Sequence, residues 1–115
     1  MAYPKRGSVY LVNFDPTIGA EIKKTRPAVI ISNDIANRYS PIVIVAAMTG
    51  RAEPRFDEVP VAPPEGGLTQ EAVIVPNQIR SVDKRRLVRR LGRLSEETIR
   101  RLDVALRITL GLVEW

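Results

Sequence analysis

Gly19-Ala-Glu-Ile-Lys-Lys-Thr-Arg-Pro-Ala-Val-Ile-Ile-Ser-Asn-Asp34 runs a basic loop straight into a continuous apolar stretch and puts one arginine, Arg26, at the junction. The apolar part, Ala28-Val-Ile-Ile31, has a counterpart in Ile42-Val-Ile-Val-Ala-Ala47. Runs this short and continuous fit strands covered on both faces, and their Val and Ile content favours strand over helix. Pro27 has no N–H to donate and biases Arg26 toward extended backbone, so the guanidinium is expected at the mouth of the strand rather than inside it. A fork held there is suited to gripping a phosphate.

Outward from this pair, Ser8-Val-Tyr-Leu-Val-Asn-Phe14 has strand composition and Asp15-Pro-Thr-Ile-Gly19 has turn chemistry. A polar connection, residues 32–41, separates the two apolar runs. Phe56-Asp-Glu-Val-Pro-Val61 reads as a strand whose proline sends it to an edge, and Pro63 to Thr69 as a loop. Glu71 to Val75 and Gln78 to Val82 form one long strand broken at Pro76, where a bulge would re-aim the side chains beyond it. Val88 to Leu94 adds a short strand. Ser95 is a plausible N-cap ahead of Glu96 and Glu97, and Ile99, Leu102, Leu106, Leu110 and Val113 recur at helical spacing. The expected fold is mainly β: one domain over residues 1–115, a small, partly open barrel closed by a C-terminal helix.

Composition narrows the chemistry. In 115 residues there is no Cys and no His, which removes disulfides, thiolate nucleophiles, imidazole acid–base catalysis and the usual zinc sites. Eighteen Lys and Arg against 13 Asp and Glu leave a net charge of +5, with a pI near 10.1. Such a balance favours a polyanionic partner, nucleic acid or an acidic protein, over a membrane. The N-terminus lacks the apolar core of a signal peptide and no apolar run is long enough to span a bilayer, so a cytoplasmic location is expected.

Arg26 and Thr49 form the candidate catalytic pair. Thr49 follows one buried strand and Arg26 precedes another, so antiparallel neighbours would bring them to one rim. Metal-free RNA cleavage needs the 2′-hydroxyl oriented toward its own phosphate and the developing charge stabilised. Arginine can supply the second by a bidentate grip, and the threonine hydroxyl can hydrogen-bond a phosphoryl oxygen or relay a proton. The bland reading is a solvated loop arginine and an ordinary strand-end threonine. Gln78, Arg80 and Ser81 form a second polar cluster that reaches either bases and phosphates or plain solvent. Asn33 and Asp34 suit a base edge or an Asx turn. Tyr10 and Phe14 suit base stacking or, more simply, packing. The run Lys84-Arg-Arg-Leu-Val-Arg-Arg-Leu-Gly-Arg93 would attract phosphate non-specifically or be a solvated surface. Asp15, Glu21, Asp34, Asp57, Glu58 and Asp83 are scattered rather than grouped as metal ligands, and no cofactor is expected.

Arg6-Gly7 with Val9-Tyr10, Asp15-Pro16 with Gly19, Lys24-Thr25-Arg26-Pro27, Ser32-Asn33-Asp34 and Gln78-Ile79-Arg80-Ser81-Val82-Asp83 together resemble the MazF/PemK toxins, in order over nearly the whole chain. The resemblance implies an SH3-like barrel, a homodimer, and a sequence-specific, metal-independent endoribonuclease that leaves a 2′,3′-cyclic phosphate and a 5′-hydroxyl. It also implies a cognate acidic antitoxin whose disordered tail occupies the RNA groove. The family's catalytic arginine and threonine fall on Arg26 and Thr49, and its RNA-facing positions on Glu21, Asn33, Gln78 and Ser81. Ser8 departs from the acidic residue that many members carry there. A competing reading is a gyrase-poisoning toxin of similar fold, like the CcdB proteins, which act through a tryptophan followed by Gly-Ile; here Trp115 is the last residue.

Overall fold

A computed structural model describes residues 3–113. Six strands, β1 (Ser8–Asn13), β2 (Thr25–Ile30), β3 (Ile42–Thr49), β4 (Val59–Val61), β5 (Ala72–Asp83) and β6 (Leu87–Arg93), form one curled sheet in the order β4-β5-β3-β2-β1-β6. Every pairing is antiparallel. The edges are β4 and β6, and β4 carries the proline, as its composition required. Two helices complete the fold, α1 (Asp34–Tyr39) and α2 (Glu96–Thr109).

The apolar runs of β2 and β3 lie at the centre of the sheet and alternate between two cores. Val29, Ala46 and Met48 join Leu102, Ala105 and Leu106 of α2 on one face. Ala28, Ile30, Val43, Val45 and Ala47 pack with Val12 and Phe14 on the other. Both faces are therefore covered from Ala28 to Ile30 and from Val45 to Met48, but Ile42 and Ile44 are exposed, so the expectation of a strand covered on both faces fails for the first half of β3. Phe14 is buried and Tyr10 packs against the same core, so both serve packing.

Helix α2 begins where the sequence signals it, with the Ser95 side chain accepting from the Thr98 N–H at 3.2 Å and Glu96 and Glu97 in the first turn. A 3-10 turn at Glu65–Gly67, inside a segment expected to be loop, closes the barrel by packing backbone against β6. Its Glu65 Oε2 accepts the Ser95 N–H at 2.9 Å and so ties the closure to the start of α2. The expected polar connection 32–41 holds a real element, α1, whose N-cap is Asn33. Behind it the buried Asn37 amide donates to Ser32 O at 2.8 Å.

Arg6 ties three parts of the chain together. Its backbone N–H donates to Asp34 Oδ1 (2.7 Å), its Nε–H to the Ile31 carbonyl (2.9 Å) and its Nη2 to Asp103 Oδ1 of α2 (2.6 Å). The break expected at Pro76 is present as an irregularity inside one long strand. Ala46 pairs with Ile79 and Met48 with Ile74, so Ala47 alone on β3 faces residues 75–78 of β5.

Candidate active site

Register is what assembles the site. Ala28 pairs with Ala47, Val29 with Ala46 and Ile30 with Val45. Two further steps at the same register would set Arg26 opposite Thr49. Hydrogen-bonded pairing between these strands stops at Ala28, one residue after Pro27, so Arg26 and Thr49 both lie beyond the paired segment, at the end where β2 and β3 part. One expectation is corrected here. Arg26 is not ahead of its strand but inside β2, paired opposite Val12 of β1. Pro27 weakens only the β3 side, and the β1 side continues through Arg26 to Thr25.

Arg26 is exposed, and its Nε lies 3.4 Å from the Lys23 carbonyl, a long contact that leaves the outer fork open. Among the described residues neither an ion pair of Arg26 nor a hydrogen bond of the half-buried Thr49 side chain is found. Lys23 and Lys24 are exposed beside them. A cleft of about 660 Å³ opens at Thr49, walled by Arg51 and Glu58 on the β3–β4 side and by Ala20, Ile22 and Gln78 on the other. A smaller cavity of about 350 Å³ lies on the far side of the 18–22 loop, bounded by Phe14, Glu21 and Arg80.

The β1–β2 loop that divides these spaces is pinned from β5. Gln78 Oε1 accepts the Ile22 N–H at 3.2 Å, and its Nε2 reaches the Ala20 carbonyl at 3.5 Å. Arg80 Nη1 donates to the Phe14 carbonyl at 2.6 Å, with its guanidinium 5.9 Å over the Phe14 ring. Arg86 donates to the carbonyls of Asn13 and Asp15. At the loop's root Phe14 N–H donates to Lys24 O and Lys24 N–H to Asp15 Oδ1, both 3.0 Å. Glu21 Oε1 accepts the Ile18 N–H at 2.6 Å, which shapes the tip.

The opposite wall is held by charge. Arg51 makes a two-pronged pair with Glu58, Nη1 to Oε1 at 2.5 Å and Nη2 to Oε2 at 2.8 Å, and Glu58 Oε1 also accepts the Arg55 N–H. The Arg51 hydrogen bonds hold the Glu58 carboxyl below the usual carboxylate range against an opposing desolvation cost. Next to it, Thr109 of α2 donates to Asp57 at 2.5 Å.

Not every expected site residue joins this cleft. Asn33 lies beyond the other end of β2, and its Oδ1 is occupied as N-cap, accepting from Ala36 at 2.9 Å. Ser81 is exposed but pairs opposite Ile44, several residues up β3 from Thr49. Gln78 and Glu21 are at the cleft or its loop, while Arg80 is committed to the Phe14 carbonyl. In the basic run, Arg85 pairs with Asp83 and Arg93 donates to the Arg6 carbonyl. Among the described residues no three carboxylates converge as a metal cage. Trp115 lies outside the described residues.

Residues 5–110 match the family model described as PemK-like, MazF-like toxin of type II toxin-antitoxin system. This chain is a member of the PemK/MazF family. Endoribonuclease EndoA of Bacillus subtilis is 37% identical over 113 residues, a match covering 96% of this chain and 97% of that protein. An endoribonuclease solved in complex with its cognate antitoxin, from a mycobacterial species, superposes with a TM-score of 0.80 at 25% identity, covering 97% of this chain and 99% of that one. MazF from Deinococcus radiodurans shares the fold, with a TM-score of 0.84 at 24% identity over 96% of this chain and 99% of its own. The half-barrel with a C-terminal helix is thus the PemK/MazF fold. What sequence reasoning missed within it was the Arg51–Glu58 wall and Asn77, an exposed residue that borders both cavities beside Gln78. The signals were present, two opposite charges across a short loop and two consecutive amides after a strand proline.

Proposed function

We propose that this protein cuts single-stranded RNA without a metal, by transesterification at a phosphate gripped between Arg26 and Thr49. Family membership carries the coarser statement: it is the toxin endoribonuclease of a type II toxin–antitoxin system. In the reaction the 2′-oxygen attacks the adjacent phosphorus and loses its proton, and the P–O5′ bond breaks. The 5′-oxygen takes up a proton, leaving a 2′,3′-cyclic phosphate and a 5′-hydroxyl. Arg26 supplies the charge that stabilises the phosphorane, since a guanidinium is suited to a bidentate grip and is a poor base. The Thr49 hydroxyl hydrogen-bonds a phosphoryl oxygen or relays a proton. Glu21 and Gln78 sit where they border the RNA path.

The observation that supports this reading is the β2–β3 register, which continued two residues past Ala28 and Ala47 would put the exposed Arg26 opposite Thr49, itself on the wall of the cleft, in a chain of this family. The protein acts as a homodimer and is restrained by a small acidic antitoxin with a disordered tail; the mycobacterial relative solved with its cognate antitoxin supports an antitoxin partner. The test is cleavage of a long RNA by purified variants. Arg26→Ala, Arg26→Lys and Thr49→Ala are each expected to lose at least about a hundredfold in rate while keeping wild-type circular dichroism. Full activity in either alanine variant would move the chemistry elsewhere.

A further inference from the structure

Two consecutive residues of β5 line both cavities beside the active site. In a regular strand Asn77 and Gln78 would point to opposite faces. Here Ala47 of β3 faces residues 75–78 of β5, and this bulge re-phases the strand so that both amides border the two spaces on either side of the 18–22 loop. The residues shared by the two cavities are Ala20, Ile22, Asn77 and Gln78, so these amides are the only polar side chains at the junction among the described residues.

Their states differ. The Gln78 amide is committed at both ends, to Ile22 N–H and to the Ala20 carbonyl. Asn77 is exposed, and no hydrogen bond of its amide is found among the described residues. Nearby polar groups each hold at least one partner within the protein: Arg51 pairs with Glu58, Asp57 accepts from Thr109, Glu21 accepts from Ile18 N–H and Arg80 donates to the Phe14 carbonyl. Among the described residues at the junction of the two cavities, Asn77 offers a free donor beside a free acceptor.

We propose that Asn77 is a specificity-determining residue that reads one base next to the cleaved phosphate, and that the base is adenine. This rests on the endoribonuclease reading of the same cleft. An amide matches a base edge on which an amino group adjoins an acceptor nitrogen; adenine presents that pair on two edges, as N6 with N7 and as N6 with N1, whereas cytosine presents it on one, as N4 with N3. In unpaired RNA both edges are accessible. The neighbouring Gln78 serves to hold the loop, and Asn77 to choose the sequence.

The experiment is cleavage of a randomised RNA pool, with sequencing at the new 5′-hydroxyl ends, by wild type, Asn77→Ala and Asn77→Asp. Wild type is expected to require adenine at one position near the cut. Asn77→Ala should relax that position by about tenfold or more and leave the others unchanged. Asn77→Asp, which only accepts, should turn it toward guanine, whose N1–H and N2–H are adjacent donors. If a variant cuts too slowly to sequence, the same substitutions in an Arg26→Ala background select bound RNA from the pool, and the enriched base is read instead. An unchanged base pattern in both variants overturns the role of Asn77 while leaving the nuclease intact. A wild-type protein that cuts no RNA at all overturns both readings.

Discussion

Alanine at Gly67 should cost far more stability than alanine at Gly111, although the two glycines have nearly the same backbone. Their φ angles are +72° and +71°, both in the left-handed region. For an L-residue that conformation alone costs about 1–2 kcal/mol. At Gly111, just past α2, a Cβ would meet nothing within 4 Å, so the conformational cost is the whole cost. At Gly67 a Cβ would sit 1.9 Å from the Leu91 carbonyl oxygen and 2.5 Å from its carbon, far inside van der Waals contact. The obstacle is backbone of β6, which cannot rotate away, so the 65–67 turn has to lift off the strand. That also strains the Glu65 contact to Ser95. The total for Gly67→Ala is about 3 kcal/mol or more. At about 4 °C per kcal/mol for a domain of this size, the melting temperature should fall by about 4–8 °C for Gly111→Ala and by about 12 °C or more for Gly67→Ala. Urea denaturation with unchanged m-values reads the same difference. Equal losses in the two variants would refute the backbone contact that closes the barrel.

The Arg51–Glu58 pair predicts a pH dependence. Because Glu58 titrates below its ordinary value near 4.5 in the folded protein, its contribution is fully present above that pH and is lost as pH falls through the folded value. Glu58→Gln should therefore be less stable than wild type at pH 7, with the gap closing as pH falls below about 4.5; a constant gap in parallel melts would contradict the assignment. Cleavage should persist in excess EDTA and should fail on RNA carrying a 2′-deoxy residue at the cut, and the opposite result in either arm would require another mechanism. The cognate antitoxin should inhibit competitively with RNA and more weakly at high salt, as a titration with labelled 2′-deoxy RNA reports; simultaneous binding would argue against a shared groove.

Much of this architecture was legible because the apolar runs of β2 and β3 leave little freedom. Strands largely buried on both faces belong at the centre of a sheet, and antiparallel neighbours put the start of β2 beside the end of β3. The rest depended on which edge of a strand pairs. Pro27 removes a single N–H, so it ended pairing with β3 but not with β1, and Arg26 lies within β2 rather than ahead of it. Helix α1 was hidden because an Asx turn and a helix N-cap at Asn33 use the same hydrogen bond, and only the backbone of the next turn distinguishes them. Arg80 looked like a phosphate ligand because charge on a strand reads as solvent-facing. Its actual partner is a main-chain carbonyl 66 positions away, a contact that no local pattern encodes. Pro76 announced a break, but which side chains it would re-aim depended on the register against β3.

β1 lies between β2 and β6, and the adjoining Arg6 reaches Asp103 of α2, so the first strand made during synthesis is completed by the last elements made. On the ribosome, β1 and β2 can pair early, while the other edge of β1 stays bare until residues 87–93 have emerged. Closure of the barrel thus waits until β6 has emerged, after every other strand of the sheet.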